Sequence, residues 1–589
     1  MLNTELAQIF REIGLYLDMQ GVEFKPRAYE KVALALEALE EPVSEIYNRG
    51  GLKALCEIPG VGKAIAEKIE EIIKTGKLTY HEELRTGMPV DLRGLTAIEG
   101  VGPKIIKILY EKLGIKEVAD LERAAREGKI RGLPHLGEKM EQKILKGIEF
   151  VKQGGGRFLL GSILPLITEI EARLRGLPEV SRVIVAGSIR RRKETVGDAD
   201  ILAVSPKPEK VMAGFVSMPE VMHVHGQGKT KAMVKLKIGM DVDLRVVGAE
   251  SFGAALNYFT GSKDHNVALR RIAQERGLKL NEYGLFRGNK SIAGETEEDL
   301  YKALGLAFIP PEIRENQGEI EAATTGKLPD LIGYKDLRGD VQIQTTWTDG
   351  SNSIEEMANE AKRLGLEYIA ITDHTKSLAM TGGSDEKKLL KQMAEIDKIN
   401  RSLKGITVLK GAEVNINKDG TLDIQDEVLS KLDVVGIAVH SQFNLPRREM
   451  TERIIKAMRN PHADILFHPT GRIIQRRGPC DLDFDAILKA AKETGTVLEI
   501  DAYPDRLDLK DEHVRKAVQA GVKLVIDSDA HSVNHVRFLE FGIAQARRGW
   551  AGKNDVINSR PLKEFLRCLK QHASSQAKKG KVNYDKSTL

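Results

Sequence analysis

Apolar positions along the chain fall into blocks of different period. From residue 1 to about 85 they recur every three or four residues, as in ELAQIFREIGLYLDM and AYEKVALALEALEE, which predicts helices. A self-similar element continues this period: IPGVGKAIAEKIEEI around Gly60, IEGVGPKIIKILYEKL around Gly100, and a looser copy, LPHLGEKMEQKILKGI, around Gly137. After the glycines at 154–156 the pattern shortens to strand-like runs, RVIVAG, ADILAV and DVDLRVV, set between helical stretches as far as about 306. A Pro- and Gly-rich stretch, about 307–336, reads as an interdomain linker. Beyond it strands and helices alternate to about 570, and the polar tail QAKKGKVNYDKSTL predicts disorder.

Composition narrows little. A chain of 589 residues, 41% hydrophobic and 30% charged, is too long for one core and ordinary for a water-soluble protein. No apolar run is long enough to span a bilayer, and the opening MLNTELAQIF has no signal-peptide layout. Cys56, Cys480 and Cys568 are too far apart to form a metal-type pair, so a reducing, cytoplasmic setting is expected. A net charge of +5 permits a nucleic-acid partner without requiring one.

The glycine repeats carry the first chemistry. Gly60 and Gly62, and again Gly100 and Gly102, allow a tight turn and a close approach of backbone N–H groups to a ligand. The helix that follows opens with unpaired amides, a seat for a phosphate oxygen, and Pro103 suits its first turn. A plain helical hairpin also needs glycine to turn; the repetition favours DNA. In the helix after the first hairpin Ile65, Ile69 and Ile72 define a buried stripe, with Lys68 at its flank.

The densest cluster of polar chemistry lies in VIVAGSIRRRKETVGDADILAV, residues 183–204. A strand runs into Gly187-Ser188, then a basic turn, then a strand in which Asp198 and Asp200, two apart, face one side. In MDVDLRVV, Val242, Leu244 and Val246 share one face and Asp241, Asp243 and Arg245 the other. Carboxylates so crowded call for cations, and two divalent metals would activate a hydroxyl and stabilise a pyrophosphate leaving group. Ser188 and Arg191 are placed to hold triphosphate oxygens.

These residues, together with YFTGSKDHNVALRRIAQERGLKLNEYGLF at 258–286, resemble the X family of DNA polymerases, to which DNA polymerase beta belongs. The resemblance spans residues 1 to about 315. It implies a lyase-like helical domain (1–85), fingers (86–153), a nucleotidyltransferase palm with a mixed β-sheet (154–248), a thumb (249–315) and a linker (316–336). The hairpins are then helix-hairpin-helix motifs that grip the DNA backbone without reading sequence. It implies Asp198, Asp200 and Asp243 as ligands of magnesium or manganese, and Gly187, Ser188 and Arg191 at the triphosphate. Tyr258 and Phe259 would lie on the incoming sugar, beside the Gly261-Ser262 turn. Asn266, Arg245 and Arg270 would lie toward base and template. Lys263 stands where DNA polymerase beta carries an acid. In register, Lys68 is the family's Schiff-base lysine and Tyr29 its support, with Lys25, Lys31 and Lys63 as the cations that would favour its neutral form.

In the last block, acids and histidines recur at the ends of apolar strands: Asp373 and His374, Glu413, His440, His468, Asp501, then Asp527, Asp529 and His531. Such recurrence marks a βα-barrel active site built for divalent metals. The block, 337–575, resembles the polymerase-and-histidinol-phosphatase (PHP) phosphoesterases fused to bacterial and archaeal X-family polymerases, the PolX arrangement, leaving 576–589 as a flexible tail. The family's site holds up to three metals, here manganese or zinc, and can support 3′–5′ exonuclease activity. Asp349, His374, Glu413, His440, His468, Asp529 and His531 match its ligands. The opening His-x-His does not: Gln342-Ile343-Gln344 replaces it, and a neutral amide is a weak ligand, so exonuclease activity should be weak or absent. The resemblance implies a monomer that fills short gaps in DNA repair, in base excision or end joining, using deoxynucleoside triphosphates on gapped or primer–template DNA. A template-independent nucleotidyltransferase and a non-catalytic DNA-binding scaffold are the competing readings.

Overall fold

The computed structural model describes residues 3–570 apart from 38, 40, 99, 135, 154 and 155. The tail at 576–589 lies outside the described residues, as do two of the three glycines at 154–156. The chain forms two compact units, residues 1–155 with the segment 473–478, and residues 156–472 with 479–589.

The described part of 1–155 is helical. Its helices include Asn3–Met19, Lys25–Glu37, Lys63–Thr75, Pro103–Leu113 and Glu138–Gln153. One apolar core runs through it from Leu6 to Ile148, so no break in packing separates residues 1–85 from 86–153. Gly76 and Gly114 close the two hairpin helices in the left-handed region, at φ 73° and 68°, where glycine ends a helix at no steric cost.

The second unit opens with a five-stranded mixed sheet. Its order is Arg182–Val185, Asp198–Val204, Asp241–Val247, Lys231–Leu236, Val221–Gln227. The central strands Asp198–Val204 and Asp241–Val247 run parallel, and the other pairs are antiparallel. Alternation buries Val242, Leu244 and Val246 and turns the acids of that strand outward, as the two-residue period requires. Helices Phe252–Thr260 and Lys263–Glu275 and a small antiparallel sheet, 279–293, follow.

The stretch 307–336 differs from the expected linker. It holds the short helix Glu319–Thr325, and Glu312, Arg314 and Glu319 within it are buried. Prolines 310 and 311 and Gly318 do punctuate it. What the composition hides is partnership: Glu312 pairs with Arg547 (2.8 Å), Arg314 with Glu297 (2.5 Å) and Glu319 with His265 (2.6 Å). Buried charges so matched fix a segment in place.

Beyond it seven parallel strands follow in sequential order, Gly339–Ile343, Tyr368–Ile371, Thr407–Asn415, Val434–Ala438, Ile465–Leu466, Val497–Asp501 and Leu524–Asp527. Ile343 bridges Ala530, and the Val341 amide donates to the Asp527 carboxylate (2.8 Å), which nearly closes the barrel. Among the described residues no helix is long and apolar enough to cross a membrane.

Candidate functional site

In the palm, parallel register sets Asp200 beside Asp243 and Asp198 beside Asp241. Burial, then the charges of Asp198 and Asp243, push the Asp200 carboxyl up to about 6. Lys231 Nζ lies 3.2 Å from Asp243, and the Arg245 and Arg191 guanidinium groups also favour the charged form of Asp200 without outweighing burial and the neighbouring acids. Gly187 has φ 63°, and a Cβ there would stand 2.6 Å from Asp200 Oδ2. Only glycine permits the strand-to-helix turn so close to the acid. The acids crowd so closely that their basic neighbours do not bring the Asp200 carboxyl back to its ordinary range, which fits divalent cations.

A cleft of about 600 Å³ opens beside them, lined by Gly187, Ser188, Arg191, Tyr258, Phe259, Gly261, Lys263, Asn266 and Arg270 as well as Asp198 and Asp200. Arg157, Lys193, Gly197 and Thr260 also line it, and sequence reasoning missed them. Two of the predicted basic contacts are already engaged. Arg191 bonds Glu315 (3.2 Å) and the Thr260 carbonyl, and Arg245 stacks on the Phe259 ring at 4.6 Å. Ser262 caps helix Lys263–Glu275 by accepting from the His265 amide (3.3 Å). Asn266 donates to the Tyr258 carbonyl (2.7 Å) and leaves its buried Oδ1 without a partner, an acceptor available to a ligand.

The helical unit shows the repeat in its backbone. Gly60 and Gly100 have φ 79° and 86°; Gly62 and Gly102 start their helices at φ −81° and −84° with no side chain capping them. The third copy keeps the fold, with the Met140 and Glu141 amides donating to the Gly137 carbonyl. It departs in charge: Glu138 and Glu141 occupy the first turn, and buried Glu141 holds Arg131 and the Ile130 amide. Around Lys68 the buried stripe is Ala66, Ile69 and Ile72, with Ile65 only partly covered. Lys68 Nζ sits over the Tyr80 ring at 5.1 Å, a neighbour that sequence reasoning missed in favour of Lys25, Lys31 and Lys63. Tyr29 is half-buried against Phe10, ring centroids 5.9 Å apart.

In the barrel, Glu413 is the hub. Its carboxylate meets His374 (3.2 Å), His440 (2.8 Å) and His468 (2.8 Å). Asp349, His374 and His531 form one group able to hold a metal, and His374, Glu413 and His440 another. Burial opposes a charge on His374, but Glu413 and Asp349 outweigh it and lift its pKa to about 9. His468 and Asp529 sit at positive φ, 28° and 50°, strain of a kind found at functional sites. Asp373, by contrast, accepts from Thr345, Thr348 and Gln392 and supports the loop.

Both glutamines meet buried carboxylates: Gln344 donates to Glu413 (2.9 Å), and the Gln342 amide lies against Glu499. Arg506 Nε stands 3.5 Å from both Asp501 and Asp529. Amides and a guanidinium thus stand against these buried carboxylates. Neither Arg506 nor Glu499 belonged to the expected site.

Comparison with known proteins gives a consistent picture. Family models described as "Helix-hairpin-helix domain", "SAM-like Helix-hairpin-helix tandem", "DNA polymerase beta thumb" and "PHP domain" match residues 1–78, 92–149, 255–315 and 340–500. The chain is 36% identical over 577 residues to the DNA polymerase/3′-5′ exonuclease PolX of Bacillus subtilis, covering 97% of this chain and 100% of that one. It is 26% identical over 349 residues to DNA polymerase lambda of Rattus norvegicus, 53% of this chain and 56% of that one. A "Probable phosphatase" of Thermoanaerobacter sp. is 30% identical over 228 residues, 37% of this chain and 88% of that one.

Proposed function

The chain belongs to the PolX-type X family of DNA polymerases, and from that premise we propose how its parts divide the work. It is a DNA-directed DNA polymerase, and in our reading it fills short gaps. The observation that carries this is the parallel register that brings Asp198, Asp200 and Asp243 onto one face beside the cleft. Those three acids would hold magnesium or manganese, which supplies activation of the primer hydroxyl and neutralises the departing pyrophosphate. Ser188 and Lys193 border the cleft as triphosphate contacts, and Asn266 Oδ1 offers an acceptor toward the nucleotide. The two Gly-Val-Gly hairpins hold DNA phosphates through backbone amides.

Two finer roles belong to the same proposal. Lys68 acts as a deoxyribose-phosphate lyase nucleophile, supported by its place on the first hairpin helix. The barrel retains two metal positions, suited to manganese or zinc, and has lost the third, so its 3′–5′ exonuclease is weak or absent. The protein works as a cytoplasmic monomer on gapped or primer–template DNA.

Primer extension on gapped DNA, with and without a template strand, tests the central reading. Template-dependent incorporation that disappears in Asp243→Asn while gapped-DNA binding persists is the expected result. Extension without template would favour a tailing enzyme. Binding without extension would favour a scaffold.

A further inference from the structure

Two long-range ion pairs and a backbone contact join the barrel to the turn that follows Ser188. Arg548 ends helix Leu539–Arg548 of the barrel, and its side chain is only 3% exposed. Its Nη1 donates to the Arg191 carbonyl (2.8 Å), the Glu312 carbonyl (3.2 Å) and Glu315 (3.1 Å); its Nε and Nη2 hold Asp511 at 3.0 and 2.6 Å. Glu315 is shared, because Arg191 Nε donates to the same carboxylate oxygen at 3.2 Å. Nη1 of Arg191 then reaches the Thr260 carbonyl, next to Gly261 in the cleft wall. A closed ring therefore runs from Arg548 to Arg191, from Arg191 to Glu315, and back to Arg548. The same turn is held twice more from the barrel side, with Arg192 facing Glu540 at 3.8 Å and Glu194 bonded to Arg472 at 2.7 Å.

We propose that Arg548 is a positioning residue for nucleotide binding, through which the barrel holds the 187–194 turn and the Thr260–Ser262 turn in the shape that receives the triphosphate. The inference rests on reading the palm cleft as the nucleotide site. A buried ring of charges specifies geometry more sharply than apolar packing would, because each member is satisfied in only one arrangement. A guanidinium suits this position because it is planar, permanently charged and able to meet several acceptors in fixed directions. The barrel then has a reason to persist in this chain that does not depend on its own chemistry.

Steady-state filling of a single-nucleotide gap tests this in the full-length chain. In Arg548→Met the KM for deoxynucleoside triphosphate should rise about tenfold while kcat falls much less, the pattern of lost ground-state binding. Asp511→Asn should give a smaller rise, and Arg548→Lys should recover part of the loss. Lys516→Ala, which removes an exposed barrel ion pair with Asp485, should match the wild type. A purely structural role would lower kcat by reducing the active fraction and leave KM alone. Unchanged KM in a folded Arg548→Met overturns the inference; should that variant fail to fold, unchanged KM in Asp511→Asn does the same. A KM raised equally by Lys516→Ala also overturns it. A wild-type protein unable to extend gapped DNA would sink the palm reading itself, an outcome distinct from extension with unaltered KM.

Discussion

Gly187 shows how a single missing Cβ can decide a site. At φ 63° an L side chain costs roughly 1–2 kcal/mol in the backbone, and the new methyl would press within 2.6 Å of Asp200 Oδ2. Gly187→Ala should therefore displace a carboxylate proposed to hold metal, and single-turnover incorporation should drop by about a hundredfold while gapped-DNA affinity holds; a near-normal rate would remove the close packing from the mechanism. Lys68 poses a different question, since its neighbours include an aromatic ring and Glu71. If it forms the Schiff base, borohydride should trap the protein on an incised abasic site, and Lys68→Ala should lose most of that product. Trapping at the wild-type level in the variant would move the activity to Lys63 or Lys25. The acids could be read from the sequence because their spacing within a strand fixes their side, and Gly187 because it stands at the turn that follows a strand. Tyr80 could not, because it meets Lys68 only after two helices pack.

At the scale of elements, the three hairpins separate a fold requirement from a ligand requirement. Gly60 and Gly100 need glycine for their positive φ, at 79° and 86°. Gly62 and Gly102 do not: their backbone is extended, and a Cβ at either would meet nothing within 4 Å. What a side chain would fill there is the approach to the helix amides. Gly62→Val and Gly102→Val should thus keep their unfolding temperature yet bind gapped DNA more weakly across all sequences. The slope of log affinity against log salt should shrink by about one for each lost phosphate contact. Gly137→Val should do far less, because Glu138 and Glu141 already repel an anion from that turn. Sequence-selective loss, or equal loss at all three, would contradict this account. Periodicity made the repeat legible, because each copy sets the glycine that opens its helix, Gly62, Gly102 and Gly137, at the same distance from the same apolar stripe. The same kind of reading failed at 307–336, where prolines and glycines suggested a linker and the buried partners of Glu312, Arg314 and Glu319 lay elsewhere in the chain.

At the scale of the whole molecule, the parts hardest to foresee are those joined over the longest separations. The Arg548 contact with the Arg191 carbonyl spans 357 positions, and no local pattern announces it. The barrel stands between these cases. The acids and histidines at its strand ends could be read from the sequence, and so could the glutamines, but not the groups those glutamines meet. Gln344 on Glu413, Gln342 against Glu499 and Arg506 between Asp501 and Asp529 surround the carboxylates that, in the proposed reading, a third metal would have used. A phosphodiester needs a metal-activated hydroxide and a further cation opposite the developing charge, so losing one centre should cost far more in rate than in DNA affinity. The unmodified protein should therefore show little or no 3′–5′ digestion even with manganese. Restoring both imidazoles, Gln342→His with Gln344→His, should raise the bound-metal count by about one, provided Arg506 yields its place. Adding Arg506→Gln to that pair should raise occupancy further, because the guanidinium competes for Asp529. Metal analysis and digestion of a single strand, with His468→Ala as the control, decide the matter: robust cleavage by the unmodified chain, abolished by His468→Ala, would mean that the two amides and the guanidinium leave the site working.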